Sequence, residues 1–450
     1  MRGPDPVLAL SAVELRDRIA NGALRATELA SACLAQIAAR EPEVQAWAWL
    51  DGDHVMAEAQ RLDRLRMSGA PIGPLHGLPV ALKDVIDTKG IPTENGAALD
   101  KGRVPDRDAE IVARLKAAGA IVVGKTVTTE LAYLAPGKTR NPVNPAHTPG
   151  GSSQGSAAAV AAGMVPLAVG TQTGGSVIRP ASFCGVTGFK PTFGRIPRTG
   201  ILQQSPSLDT VGVFARTPED AAMLAEVLFG HDEGDPATEL LAPPRLLDVA
   251  KSKPPVAPTL AFVRLPGFDE AHDEMRLAME ELASALGEQC FETELPSAFG
   301  DAAAIRERIN FAEMAKCYYG YEKRGWELLS QETRDAMEKG RAVPARDYLA
   351  ALDWPGIFRA AFDEILSRAD AILVPAATGP APEGLGSTGS AIFNGVFTLC
   401  GMPAVTIPVF TAGNGLPMGA QLVGRRGDDA RLLRTAAWLA RHVETLGQED

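Results

Sequence analysis

Apolar residues in this chain follow two rhythms, and the switch between them marks out its elements. Ser11 and Glu14 have capping-box spacing, Leu15 and Ile19 recur at a helical interval, and Asn21-Gly22 supplies a stop, so a short helix opens the chain. Residues 27–40 and 55–67 repeat the helical rhythm. The rhythm then changes to short unbroken apolar runs. "LPVAL" within 73–84 reads as a strand that delivers Lys83 and Asp84 at its tip, and 120–125 reads as a buried strand after a helix over 109–119 closed by Gly119. A small-residue helix from Ser156 to Ala162, stopped by Gly163, leads to another inner strand at 165–170.

Beyond a Pro-rich stretch at 242–258 the pattern predicts strands at 259–267 and 290–296 around a helix at 272–287. Residues 302–368 read as mostly helical, strands follow at 371–377, 403–409 and 419–424, and an amphipathic helix spans 428–444. Strand, helix, strand in succession calls for parallel pairing through crossovers. The expected fold is therefore α/β, a large mixed, mostly parallel β-sheet covered by helices on both faces. Four stretches are expected along it: a helical layer at 1–70, a core at 71–230, a variable and mainly helical region at 231–370, and strands with a helix completing the core at 371–450.

Composition narrows the function. With 44 basic and 55 acidic residues the net charge is −11, which repels phosphate backbones and argues against direct nucleic-acid binding. Five scattered cysteines form no CxxC pair, so neither a disulfide framework nor a metal site is expected. The opening residues lack the apolar core of a signal peptide and no long apolar run follows, so a cytoplasmic protein without a membrane anchor is expected.

The stretch "TPGGSSQGSAAAVAAG", 148–163, places small hydroxyls on bare backbone just before a helix. A phosphate cradle is one reading, but the lysine of a P-loop is missing, and no GxGxxG occurs at this helix start. Tight helix-sheet packing is the plainer one. Twenty-four residues after Ser152, Ser176 follows the predicted strand in "GTQTGGSVIRP". The carboxyl end of an inner strand is where α/β sites are built. Thr173, Gly174 and Gly175, with Ser176 itself, can aim several backbone N–H groups at one point, as an oxyanion hole requires. That pattern suits a nucleophile and a helper serine. For a base, His147 sits in a Pro-flanked loop and His76 just ahead of a strand, whereas Lys83 ends an apolar strand where burial lowers an ammonium's pKa. A salt bridge from Lys83 to Asp84 or Asp87 is the structural alternative.

At these residues the chain resembles the amidase signature family of serine amide hydrolases. "PLHGLPVALKD", "PGGSSQGSAAAVAAG" and "GTQTGGSVIRPASFCGVTGFKPT" carry the likeness over about 73–216, and "LCGMPAVTIPV" and "GLPMGAQLVGRR" extend it toward the C-terminus. The resemblance implies that family's fold and a C–N hydrolysis that needs no cofactor. It implies Ser176 as nucleophile, Ser152 as a bridging serine in a cis peptide after Gly151, Lys83 as base, Ser153 as a supporting partner, and the 173–176 amides as oxyanion hole. The implied ligand is a small-molecule amide.

Two residues depart from the family pattern. Gln172 stands where many members carry aspartate, and Arg179 follows the nucleophile at the third position instead of the second. A helical turn from Ser176 brings Arg179 back to the same face, which suggests a pocket arginine for short amides bearing an acid, similar to malonamate or allophanate. Tyr133 is a second candidate for the pocket, with a core position as its alternative. Three readings follow: a free-standing amidase, the glutaminase subunit of a tRNA-dependent amidotransferase, and a non-catalytic assembly protein on the same fold, with a homodimer left open.

Overall fold

The computed structural model describes residues 5–449, in which eleven strands form one sheet. In chain order they are β1 (Trp47–Leu50), β2 (Pro79–Lys83), β3 (Ile121–Thr126), β4 (Leu167–Gln172), β5 (Thr187–Lys190), β6 (Thr210–Ala215), β7 (Leu260–Val263), β8 (Cys290–Thr293), β9 (Ala371–Pro375), β10 (Ala404–Thr411) and β11 (Pro417–Val423). Across the sheet they lie in the order β1-β3-β2-β4-β6-β5-β10-β11-β9-β7-β8. Every strand expected from the apolar runs is present, within a few residues.

The sheet is mixed, but the expectation that it is mostly parallel is wrong. Parallel pairing is confined to two blocks, β3-β2-β4 and β9-β7-β8. The remaining six neighbouring pairs are antiparallel. Four of the six involve strands the pattern did not reveal, and the other two join the expected strands β9, β10 and β11. The strands not revealed are β1, β5 and β6, of which β1 and β5 are four residues long, and each pairs antiparallel with its neighbours.

Alternation along the central strands divides the core into two faces. Val80, Leu82, Leu167 and Val169 join one apolar layer, whereas Ala81 and Ala168 face the other. On that second face lies the helix Gln154–Ala161, whose Ala157, Ala158 and Ala159 are fully buried. Alanine against alanine lets helix and sheet approach closely. Gly155 completes the fit, because a Cβ there would collide with the Ala46 carbonyl.

Hydroxyls fasten the same helix. Ser156 Oγ donates to the Val169 carbonyl at 3.0 Å and shares a hydrogen bond with Thr126 Oγ1 at 2.7 Å. Within the helical region the helix Ala302–Cys317 packs against Gln331–Arg341, Ala345–Ile365 and Gly395–Leu399. Its first turns thereby reach the carboxyl end of β4. No helix among the described residues is long and apolar enough to cross a membrane.

Candidate active site

β2 and β4 are parallel neighbours with Leu82 opposite Val169, so their carboxyl ends leave the sheet side by side. Lys83 ends β2 with no exposed surface. Its Nζ donates to Ser152 Oγ at 2.7 Å and to Thr171 Oγ1 at 2.7 Å. Burial pushes the Lys83 amine down to about 7, with Asp209 pulling the other way. The salt-bridge alternative does not hold, because Asp84 accepts the Glu94 backbone N–H at 3.2 Å and Asp87 pairs with Arg103 at 2.6 Å. Lys83 therefore has two hydroxyl partners and no carboxylate.

Ser152 follows Gly151 through a cis peptide bond. Ser153 Oγ donates to the Thr171 carbonyl at 3.1 Å and accepts the Thr171 N–H at 3.3 Å, so Ser153 fixes the residue that holds Lys83. Thr171 is a site residue that the sequence reading missed. Only its place inside a strand, two residues before the turn, could have pointed to it.

The turn after β4 is organised by Gln172. Its Oε1 accepts the N–H groups of Val177 at 2.8 Å and Ile178 at 3.0 Å, while its Nε2 donates to Thr398 Oγ1 at 3.0 Å. Thr398 Oγ1 in turn donates to the Gly174 carbonyl at 2.8 Å. A neutral amide thus braces the loop from both ends. Among the described residues the N–H groups of Thr173, Gly174, Gly175 and Ser176 bond to no protein acceptor, and neither does the Ser176 hydroxyl to any protein group. Thr173 Oγ1 donates to Asp209 at 2.6 Å, which anchors the turn from below. Gly175 must be glycine, since a Cβ would collide with Asn394 Oδ1.

Ser176 opens on a cleft of about 200 Å³ whose walls include Tyr133, Gly175, Arg179, Gln204, Arg306 and Asn310. Tyr133 is therefore a wall residue. Arg179 also reaches the cleft, but its Nη2 is spent on the Gly151 carbonyl at 2.7 Å and on Thr388 Oγ1 at 3.2 Å. Burial, with Arg306 nearby, lowers its pKa to about 10, so it stays charged at neutral pH.

Arg306 is the guanidinium left unengaged. It makes no hydrogen bond among the described residues, and the carboxylate it approaches, that of the half-exposed Glu307, lies at 3.7 Å. Its Nη1 stands 3.3 Å from where a Cβ on Gly174 would be, directly beside the turn. Sequence reading passed over Arg306 because it sits in an ordinary amphipathic helix with no turn residues to mark it.

The histidine alternatives have structural partners. His147 Nδ1 bonds the Ala381 carbonyl at 2.8 Å, and His76 Nε2 the Leu62 carbonyl at 3.1 Å. A larger cavity of about 550 Å³ shares no residue with the cleft. There Arg103 pairs with Asp87 and Arg324 with Asp100.

Residues 28–433 match the profile of the Amidase family. The chain belongs to the amidase family. A glutamyl-tRNA(Gln) amidotransferase subunit of Chloroflexus aurantiacus is 35% identical to this amidase over 92% of the chain and 93% of its own length. The native peptide amidase of Stenotrophomonas maltophilia superposes with a TM-score of 0.84 at 28% identity, covering 98% of each chain. A protein solved in a vestigial complex that bears on the origins of an s-triazine catabolic enzyme reaches a TM-score of 0.89 at 28% identity, over 96% of this amidase and 98% of that chain. The fold and family expected from the serine-glycine blocks are thus the observed ones.

Proposed function

We propose that this amidase hydrolyses the C–N bond of a short amide carrying a carboxylate, through a seryl acyl-enzyme. The carrying observation is the fully buried Lys83 amine, 2.7 Å from Ser152 Oγ and without a carboxylate partner, one strand away from the Ser176 turn. An amine with a pKa of about 7 is largely neutral just above that pH and can accept a proton. In this reading Ser176 attacks the carbonyl carbon as its proton passes to Ser152 and that of Ser152 to Lys83. The free 173–176 amides hold the oxyanion. The relay reverses to protonate the leaving nitrogen, and water then releases the acid from Ser176. Rotation of the unbonded Ser176 hydroxyl toward Ser152, once substrate is seated, closes the chain. Gly151 and Ser153 support it, the first by offering its carbonyl to Arg179.

Arg306 supports the acid-bearing acyl group, since its free donors face the cleft beside the nucleophile turn. This moves the carboxylate role from Arg179, which we assign to holding the Gly151 carbonyl. Such substrates are non-peptide amides such as malonamate. The 35% identity to an amidotransferase component favours glutamine as a second reading, because glutamine is also a primary amide with a carboxylate. That reading adds a partner protein to receive ammonia; the first needs none.

The test compares malonamate, glutamine and propionamide with wild type and Arg306→Gln, with Ser176 occupancy checked by a fluorophosphonate. The preference for malonamate over propionamide is expected to fall about 10- to 100-fold in the variant, the scale of a lost charge-assisted hydrogen bond. Label on a serine other than Ser176, or an unchanged preference, rejects the reading. Glutamine turnover above malonamate turnover selects the second one.

A further inference from the structure

Gln204 is almost fully buried, and its Oε1 has no hydrogen-bond partner among the described residues. It lies in the loop before β6 and lines the same cleft as Ser176. Two contacts hold it in place. Its backbone N–H donates to Asp209 Oδ2 at 2.8 Å, and the other oxygen of that carboxylate accepts Thr173 Oγ1 at 2.6 Å, so Gln204 and the nucleophile turn share one anchor. Its Nε2 donates to Asn310 Oδ1 at 3.1 Å, and Asn310 stands one helical turn after Arg306. With the NH₂ end occupied, the carbonyl end is the one left free.

A buried acceptor without a donor costs about 1–3 kcal/mol, and folded proteins keep few of them. Asn394 Oδ1 is also unpaired, but it is pressed against Gly175 and leaves no space for a ligand atom. Gln204 differs because the residue lines the open cleft, so a turn of its amide brings Oε1, itself without exposed surface, to the wall.

We infer that Gln204 Oε1 accepts a hydrogen bond from the N–H of the scissile amide, which makes the enzyme selective for amides with N–H over N–H-free analogues. This rests on the function proposed above and deepens it. An acid-bearing primary amide has three polar groups. Its carboxylate is matched by Arg306 and its carbonyl oxygen by the 173–176 amides, and the remaining –NH₂ is matched by the acceptor left over in the wall. Gln204 transfers no proton. When the C–N bond breaks, the nitrogen takes its proton from Ser152 and leaves as ammonia. Holding one N–H toward Gln204 turns the nitrogen lone pair, freed as the carbon becomes tetrahedral, toward that proton.

Two pairs of compounds test it: malonamate with monomethyl malonate, and propionamide with methyl propionate. Both kcat/KM and protection of Ser176 from a fluorophosphonate are measured, so a slowly turning enzyme still reports. In Gln204→Met the amide-to-ester ratio is expected to fall about 10- to 100-fold on both pairs, because a site built around an N–H rejects what lacks it. Equal loss on amide and ester, as from a merely structural residue, overturns the inference, and so does an unchanged ratio. If the variant does not fold, wild-type protection decides: the amides protect Ser176 at least about 10-fold better than their esters, and parity overturns the inference. Should the acid pair be no better than the neutral pair while the ratio still falls, the Arg306 reading fails and the Gln204 assignment stands.

Discussion

In the proposed mechanism Lys83 concentrates the chemistry in one residue, and its burial has a measurable sign. The folded chain holds this amine at about 7, whereas the unfolded chain holds it near the ordinary value of about 10.4. Below pH 7 the unfolded state binds a proton that the folded state can take up only at full desolvation cost, and the cost fades as pH rises toward about 10.4. At pH 7 the cost is about 4 kcal/mol. Lys83→Met is therefore expected to unfold later in denaturant than wild type at pH 7, with the gap closing toward pH 10. The same variant is expected to lose turnover about a thousandfold, and wild-type kcat/KM is expected to fall as pH drops through about 7. A stability gap that does not change with pH would show that the amine titrates normally.

At the scale of elements, the site is a turn held open by its flanks. Gln172 accepts two consecutive N–H groups, and this leaves the four before them free to face the cleft. Gln172→Leu strands both donors in a buried place, at about 1–3 kcal/mol each. The expected results are a lower unfolding midpoint and a lower kcat, read by urea titration and steady-state rates. The part of this site that was legible in the sequence is the part built from turn residues. Gly151, Ser152 and the Thr173 to Ser176 run stand out because small residues and hydroxyls at strand ends have few other uses. Arg306, Asn310 and Gln204 did not stand out. The first two share a helical face with neighbours of ordinary polarity, and Gln204 owes its importance to an oxygen whose isolation only tertiary structure reveals. Likewise β2 and β4 were readable as apolar runs, while β5 and β6 were not, and the direction of three antiparallel pairs went with them.

Across the whole molecule, the loop that carries Gln204 is tied to a distant segment. Arg198 and Asp235 form a buried pair at 2.7 Å, and Arg198 also donates to the Pro206 and Asp209 carbonyls at 2.7 and 3.2 Å. Arg198→Ala leaves the Asp235 charge buried without its partner, which costs about 3–5 kcal/mol. Thermal unfolding is expected to shift markedly downward, and Ser176 is expected to label more slowly as the loop around Asp209 loosens. A variant as stable as wild type would mean that the pair is solvated in solution. The tie to Lys83 leads to a different kind of consequence. Its strand is hydrogen-bonded on both sides and its amine is clasped by two hydroxyls, so nothing about the proposed proton acceptor waits to be assembled when a ligand arrives. On the proposed mechanism, control would then act on entry to the cleft, where Arg306 meets the incoming molecule, while the amine beneath stands permanently cocked.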